Sequence, residues 1–196
     1  MIGWACTRGF FRYNKQMRKK WKVHTSKTVY QNPFFRVIEK DLERPDGTIS
    51  TYYIVDRGGR FSIVIPLFPD GTTLLVGQYR PSTSFYSWEF PMGQVKGKTP
   101  LGMAKQELIE ETGYTAKEWK FVGSYFIGQG HTSQEAFVYT ARTLHEGKAR
   151  PEEGEFLKTK RVPIAGMRSM IKDGIIKDGP TIAAYQLYQM QSGVSR

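Results

Sequence analysis

Two Pro-Asp-Gly triplets, at residues 45–47 and 69–71, constrain the fold of this chain most strongly. Each lies between runs rich in β-branched and apolar residues, where Asp-Gly favours a tight turn with positive φ at glycine. A pair of glycines, Gly58 and Gly59, separates two further runs. The runs from residue 25 to residue 80 read "TVYQNPFFRVIEKDLER", "TISTYYIVDR", "RFSIVIPLF" and "TTLLVGQYR". The sequence therefore predicts an antiparallel sheet built from hairpins in this part of the chain.

The second half of the chain mixes helices and strands. A helix is expected after Gly93, followed by the strands "WKFVGSYFI" and "EAFVYTARTL" and by the helical segments "PIAGMRSMIKDG" and "PTIAAYQLYQMQSG". Both late segments open near proline and close near glycine, as helices tend to do. Strands with helices on separate faces predict an α+β layered domain, and 196 residues suffice for one main domain.

Composition limits the classes of protein that fit. Cys6 is the only cysteine, which excludes an internal disulfide and zinc sites of the paired-cysteine kind. The longest strongly apolar stretch, Phe61 to Phe68, is too short to span a bilayer, so we expect a cytoplasmic protein without membrane insertion. The net charge of +11 favours anionic partners such as a nucleotide, a nucleic acid or an acidic lipid. Residues 1–22 are basic and predict an arm or an organelle-targeting segment.

The segment "GQVKGKTPLGMAKQELIEETGY", residues 93–114, combines a glycine-bearing loop with a helix. Thr99 is a suitable N-cap, Pro100 suits the first helical position and Gly113 suits the stop, so the helix is predicted from about Pro100 to Thr112. One apolar stripe at spacings of three and four should pack on the sheet: Leu101, Ala104, Leu108 and Thr112.

Three acids, Glu107, Glu110 and Glu111, crowd the end of this helix. Glu107 and Glu111 border the apolar stripe, and like charges at this spacing cost roughly 0.2–0.5 kcal/mol. The negative end of the helix dipole adds to that cost. A bound divalent cation would make this cluster of acids favourable instead of costly, and Mg²⁺ prefers oxygen ligands. The pattern therefore predicts a Mg²⁺ (or Mn²⁺) site, with a solvated acidic helix end as the alternative.

The residues around these acids resemble the Nudix box, whose end here reads "QELIEETGY". The segments "LLVGQYRP", "WEFPMG" and "EEGEFLKTKRVPI" are similar to the ADP-ribose pyrophosphatase branch of that family, and the resemblance extends from about Trp21 to about Tyr188. It implies a Nudix α/β/α sandwich at residues 61–196, preceded at residues 23–60 by an antiparallel β region that commonly makes a homodimer. It also implies a nucleoside diphosphate sugar substrate, such as ADP-ribose, cleaved at its pyrophosphate bond to a nucleoside monophosphate and a sugar phosphate.

The same resemblance assigns roles to individual residues. Glu107, Glu111 and the backbone carbonyl of Met92 resemble the metal ligands, and Glu110 resembles a further ligand or a supporting acid. Arg80 resembles the arginine that contacts the diphosphate or the distal sugar, with a surface residue at a strand end as the alternative. Glu89 resembles an acid lining that pocket, with a structural hydrogen-bonding acid as the alternative.

Two further roles are implied with less definition. The general base of this branch often comes from a loop after the box, which corresponds to "EEGEF" and to Glu153 or Glu155. A solvated acidic loop is the alternative. Phe34 or Phe35 resembles the aromatic residue that stacks on the nucleobase. Neighbouring residues of a strand point to opposite faces, so at most one of them can do so, and core packing is the alternative.

The sequence departs from the family pattern at three positions. Lys98 stands where the family has glutamate, in a loop that is one residue short, and Gln106 replaces the arginine that braces the catalytic acids. Gln129, in "GQG", lies where the ADP-ribose branch has a proline. These departures leave open a dinucleotide or capped-RNA substrate. They also favour an alternative function, a catalytically inactive Nudix domain that binds RNA or a protein partner.

Overall fold

The computed structural model describes residues 20–95, 97–151, 154 and 156–192. Most of the predicted basic arm, and both candidate bases Glu153 and Glu155, lie outside the described residues. The strands are β1 Lys22–Gln31, β2 Arg36–Glu43, β3 Ile49–Asp56, β4 Arg60–Pro66, β5 Thr72–Arg80, β6 Phe85–Glu89, β7 Met92–Gln94, β8 Thr115–Phe126, β9 Glu135–His145 and β10 Lys158–Pro163. The helices are α1 Pro100–Thr112, α2 Met167–Lys172 and α3 Gly179–Ser192, with a short 3₁₀ turn at Ile164–Gly166.

An antiparallel sheet of order β1-β2-β3 forms at the N-terminal end, as predicted. The first Pro-Asp-Gly triplet joins β2 to β3, and Gly47 has φ +89°. The prediction of one unbroken run from residue 28 to residue 44 was wrong, because Asn32 makes a turn. Its side-chain oxygen accepts the backbone N–H groups of Phe34 and Phe35 at 2.8 and 2.9 Å. Both phenylalanines therefore lie in the β1–β2 turn and not on a strand.

The second Pro-Asp-Gly triplet does not make the predicted hairpin. Strands β4 and β5 are joined only by the isolated bridge of Leu67 with Thr73, and they then enter different sheets. Strand β4 pairs in parallel with β9 and antiparallel with β7, whereas β5 lies between β10 and β6. The prediction was wrong here because turn residues specify only a local reversal of the chain. Which strand β4 pairs with depends instead on how β4 is buried. β4 is apolar throughout, as expected for a strand covered on both faces.

The mixed sheet β7-β4-β9-β8 is the middle layer of an α/β/α arrangement, which confirms the predicted α+β class. Alternate residues of β4 point to opposite faces. Ile63 and Ile65 belong to the core on the side of α3, which contributes Ala184. Val64 belongs to the core on the side of α1, which contributes Leu108. α1 and α3 therefore cover opposite faces of one sheet.

Helix α1 has the predicted bounds and caps. The Thr99 side-chain oxygen accepts the Gly102 N–H at 3.1 Å, and Gly113 ends the helix in the left-handed region at φ +80°. The predicted stripe is largely correct, except that Leu101 is only partly buried while its neighbour Met103 is buried. Among the described residues, no helix has both the length and the apolar character needed to cross a bilayer.

Candidate active site

A cavity of about 680 Å³ opens where the ends of β5, β6 and β7 meet the start of α3. Its volume lies within the usual range of small-molecule sites. Five charged residues line it: Arg57, Arg80, Glu89, Lys177 and Asp178. The Lys177 ammonium lies 4.8 Å from the centre of the Phe85 ring, which also lines the cavity. Three of these five side chains are cationic and suit an anionic ligand.

Arg80 and Glu89 form an ion pair on the cavity wall. Arg80 lies opposite Phe85 in the β5–β6 register, and Glu89 is four residues beyond Phe85, so both side chains project from the same face. The Arg80 Nε donates to Glu89 Oε1 at 2.8 Å, and its Nη2 donates to Glu89 Oε2. Glu89 is buried, whereas the Arg80 side chain is 42% exposed.

The geometry of this pair leaves Arg80 able to bind a ligand. A guanidinium has five N–H donors, of which the bonds to Glu89 use two. The bond to Glu89 raises the pKa of Arg80 above its usual range, against the opposing effect of burial. Arg80 thus presents a fixed, permanently charged set of donors to the cavity. Glu89 lines the cavity and accepts hydrogen bonds from Arg80, and its role in substrate binding stays a prediction.

Asp178 is the N-cap of α3 and a further acid of the cavity. One of its side-chain oxygens accepts the Thr181 N–H at 2.8 Å. Burial raises the pKa of Asp178, and the nearby Glu89 carboxylate raises it further, while the bonds from Thr181 and the charge of Arg80 act in the opposite direction. Asp178 therefore holds a proton to higher pH than an ordinary aspartate.

Two of the box acids lie against the backbone of β7. The Glu111 carboxylate accepts the Met92 N–H at 3.1 Å, and Glu111 is 7% exposed. The Glu107 carboxylate lies so close to Gly93 that a side chain at residue 93 would place its Cβ 1.8 Å from Glu107 Oε1. Met92 and Gly93 line the cavity, so both carboxylates lie against residues of its lining.

These acids fit a hard divalent cation of the Mg²⁺ type. Within the described residues, no group of three or more His, Cys, Asp or Glu side chains is close enough to form a metal site. Mg²⁺ commonly uses only one or two carboxylates, with water and substrate phosphates completing its shell. Glu107 and Glu111, with a backbone carbonyl beside them, have the donor chemistry for that kind of site.

Glu110 takes part in a hydrogen-bonded network on the outer side of α1. The Gln106 Nε2 donates to Glu110 Oε1 at 2.7 Å, and Lys98 Nζ donates to Gln106 Oε1. The backbone carbonyl of Glu110 accepts the Arg150 N–H at 2.9 Å. We call these side chains the Lys98–Gln106–Glu110 network. The two residues at which the sequence departs from the box thus contact each other, and Gln106 also contacts the third acid.

Phe35 is not brought to the cavity in the single chain. Its ring lies 5.7 Å from that of Tyr30 in the β1–β2 turn, and Phe34 is 77% exposed. Neither phenylalanine lines the cavity. Their roles, and those of Glu153 and Glu155, stay predictions.

Sequence reasoning missed three charged residues of the cavity: Arg57, Lys177 and Asp178. Asp178 could have been found, because Asp-Gly-Pro before an apolar helix is a typical N-terminal signal. Arg57 and Lys177 carry no such signal. They reach the cavity only through the packing of the β3–β4 connection and the turn before α3.

Comparison with known proteins supports the resemblance over most of the chain. A family model of the nucleoside diphosphate sugar hydrolase N-terminal domain matches residues 21–55, and one of the NUDIX domain matches residues 58–185. The chain is 28% identical over 176 residues to the ADP-ribose pyrophosphatase of Bacillus subtilis (strain 168), covering 88% of this chain and 95% of that protein.

Two further relatives extend the comparison. The chain is 26% identical over 161 residues to the GDP-mannose pyrophosphatase of Yersinia pestis (strain Pestoides F), covering 76% of this chain and 81% of that protein. A crystal structure of an ADP compounds hydrolase superposes with a TM-score of 0.80 at 22% identity, covering 90% of this chain and 98% of that one. That structure has the same fold.

Proposed function

Because the chain belongs to the Nudix family of pyrophosphohydrolases, we propose that it hydrolyses the pyrophosphate bond of a nucleoside diphosphate sugar such as ADP-ribose. The products are a nucleoside monophosphate and a sugar phosphate, and the reaction depends on Mg²⁺ or Mn²⁺. One observation supports this most directly. Arg80 lines the cavity, and Glu111 and Glu107 lie against Met92 and Gly93, which line the same cavity.

The cationic residues of the cavity and the names of the relatives support the proposed substrate class. Arg57, Arg80 and Lys177 line the same space and suit the two negative phosphates of a diphosphate. The relatives from Bacillus subtilis and Yersinia pestis are named for ADP-ribose and GDP-mannose, respectively. Those compounds share a diphosphate between a nucleoside and a sugar, and this shared chemistry is what we propose for the substrate.

The chain's own residues supply binding and orientation. Arg80 is held by Glu89 and directs its remaining N–H donors at a phosphate, where they offset the charge that develops as the phosphorus is attacked. Glu107, Glu111 and the Met92 carbonyl are proposed to hold the divalent cation. When bound, that cation neutralises phosphate oxygens and aligns the attacking water. Glu153 or Glu155 is the proposed base for that water, and Glu110 supports the other acids.

We also propose that the protein is a homodimer through its N-terminal sheet. In the β1–β2–β3 register, Val23 lies opposite Leu42, and Ile54 lies opposite Ile38, which shares a face with Leu42. This apolar face belongs to neither core cluster of the described residues, and Val23 is 53% exposed. A second copy of the chain would cover it.

A substrate panel tests the proposed activity. Purified protein is given ADP-ribose, GDP-mannose, a dinucleotide and a capped RNA, each with Mg²⁺, Mn²⁺ or chelator, and release of nucleoside monophosphate is measured. Glu111→Gln should abolish metal-dependent turnover, while Glu146→Gln, which changes an exposed acid after β9, should not. Turnover that survives in Glu111→Gln would contradict the proposal. No turnover on the whole panel would favour a domain that binds RNA or a protein without cutting.

A further inference from the structure

The Lys98–Gln106–Glu110 network joins two departures from the box in one line of hydrogen bonds. We propose that Lys98 and Gln106 act together as positioning residues for Glu110, and that Lys98 does so by fixing the direction of the Gln106 amide. The inference rests on the proposed function, because Glu110 matters only if the acids of α1 serve a metal-dependent reaction. It explains how the chain can manage without an arginine at residue 106.

The orientation of the Gln106 amide follows from the charges at its two ends. An ammonium group can only donate hydrogen bonds, and an ionised carboxylate can only accept them. The Gln106 oxygen must therefore face Lys98, and its NH₂ group must face Glu110, because the flipped amide would lose both bonds. Glutamate at residue 98 would compete with Glu110 for the amide NH₂ group and would leave the amide oxygen facing one carboxylate in either orientation. Lysine at residue 98 and glutamine at residue 106 are thus a matched pair.

The position of Glu110 on α1 gives the network its effect. Residues three and four apart share a helix face, so Glu110 neighbours Glu107 while Glu111 follows it directly. The network fixes where the Glu110 carboxylate lies relative to the two acids against β7. Groups that orient metal-binding side chains in this way typically change metal affinity by 10- to 100-fold when removed.

A positioning role and a purely electrostatic role of Lys98 predict opposite results. If Lys98 acted only as a positive charge near the site, Lys98→Met would bind Mn²⁺ more tightly, because a repulsive charge is lost. If Lys98 orients Gln106, the same variant binds Mn²⁺ more weakly. We expect about tenfold weaker binding for Lys98→Met and for Gln106→Ala. The double variant should be no weaker than the weaker single one, since each change breaks the same network.

The experiment measures Mn²⁺ binding to the metal-free protein by calorimetry or electron paramagnetic resonance. Lys98→Arg keeps the donors and should retain wild-type affinity, whereas Lys98→Glu should bind more weakly than Lys98→Met. Lys105→Met is the matched control. Lys105 is an exposed lysine of α1 whose ammonium lies 6.0 Å from the Trp119 ring, so its removal should change affinity less than about twofold.

A second readout does not depend on metal. The Gln106 side-chain NH₂ signal in ¹H–¹⁵N spectra of the metal-free protein, assigned by its loss in Gln106→Ala, should shift in both Lys98→Met and Glu110→Gln. An unshifted signal, additive effects in the double variant, or tighter binding by Lys98→Met would each overturn the positioning role. A wild type that neither binds Mn²⁺ nor cleaves any substrate would instead overturn the proposed function, and the role of the network with it.

Discussion

Gly93 lies so close to the Glu107 carboxylate that a side chain at residue 93 would displace that carboxylate. A Cβ at residue 93 would lie 1.8 Å from Glu107 Oε1 and 2.0 Å from its carboxyl carbon. We expect Gly93→Ala to displace the Glu107 carboxylate and to lower metal-dependent turnover by about 10- to 100-fold. Glu107 is partly exposed, so the carboxylate can move towards solvent and the fold should survive. Turnover and thermal unfolding of the same preparation check both statements.

Gly130→Ala is the matched control for Gly93→Ala. A Cβ at Gly130 meets no atom within 4 Å, and its φ is not in the left-handed region. Its turnover should equal that of the wild type. Full activity in Gly93→Ala would contradict the proposed role of Glu107 as a metal ligand.

Asp178 should make the free energy of unfolding fall as the pH rises, which is opposite to the usual effect of a carboxylate. Its pKa is raised in the native state by burial and by Glu89, from an ordinary value of 3.8. Above pH 3.8 and up to the native pKa, the native state keeps a proton that the unfolded chain has lost. The free energy of unfolding therefore falls as the pH rises through this window. Asp178→Asn cannot ionise and still caps α3, so it should remove this slope and be more stable than the wild type at neutral pH.

Urea unfolding of both proteins at a series of pH values, from below 3.8 to neutral, measures the slope. Asp70→Asn provides a contrast. Bonds from Thr72 and the charge of Arg161 lower the pKa of Asp70, so its contribution is present above pH 3.8 and is lost as the pH falls. Its replacement should reduce stability at neutral pH. If Asp178→Asn were less stable than the wild type at neutral pH, the predicted direction of the Asp178 effect on stability would be contradicted.

Helix α1 shows which elements a sequence predicts well. Its N-cap, its proline and its terminal glycine all lie within the helix or next to it, so local chemistry determined the bounds. Strand pairing depends on residues far apart in the chain. β4 pairs in parallel with β9, and nothing in the local pattern around residues 69–71 indicates this.

The residues of the candidate site likewise fall into a group that local motifs predict and a group that they do not. The acids of α1, with Arg80 and Glu89, were predicted because they belong to recognisable motifs. The short strands β6, β7 and β10 were missed because three to six residues carry little periodicity. Arg57 and Lys177 reach the cavity only through tertiary packing. Site residues that belong to a sequence motif can therefore be predicted from the sequence. Site residues such as Arg57 and Lys177, which tertiary packing brings to the cavity, cannot.

The end of α1 is joined to the segment after β9 by a close backbone approach at Gly113. Gly113 has φ +80°, and a Cβ there would lie 2.6 Å from both the Ala149 nitrogen and the Gly147 oxygen. Gly71 has nearly the same φ, +78°, with open space around it. We expect Gly71→Ala to lower the free energy of unfolding by about 1 kcal/mol, the cost of left-handed backbone for alanine. Gly113→Ala should cost about 1 to 3 kcal/mol more, because backbone atoms must move.

Denaturant unfolding of Gly71→Ala and Gly113→Ala measures the difference between their free energies of unfolding. The cost of left-handed backbone for alanine is common to both variants and cancels in this difference. The residual difference reports the contact of α1 with residues 147–149. Equal losses in the two variants would mean that this segment moves away freely and does not hold the acid-bearing end of α1.

At the scale of the whole molecule, the N-terminal sheet has few bonds to the rest of the chain. Two that cross between them are the Tyr52 hydroxyl donating to the Gly130 carbonyl and the Val55 N–H donating to the His131 carbonyl. Strand β1 is exposed along its whole length and lies at the edge of its sheet. On the face of this sheet that carries Val23, Val23 is exposed, and Ile38, Leu42 and Ile54 are half-buried. A small sheet whose apolar residues are incompletely buried is typical of an interaction surface.

The proposed homodimer makes this surface testable. Light scattering after size exclusion should give the wild type twice the 22.5 kDa mass of the chain. Val23→Glu places a charge on the apolar face beside Leu42, where burying it without a partner is costly, so this variant should elute as a monomer. Phe121→Glu changes a second exposed aromatic surface, where the Phe121 ring lies 5.4 Å from that of Tyr139 on β8 and β9. If Phe121→Glu is monomeric and Val23→Glu remains dimeric, the interface lies on the β8–β9 surface and the N-terminal sheet does not form it.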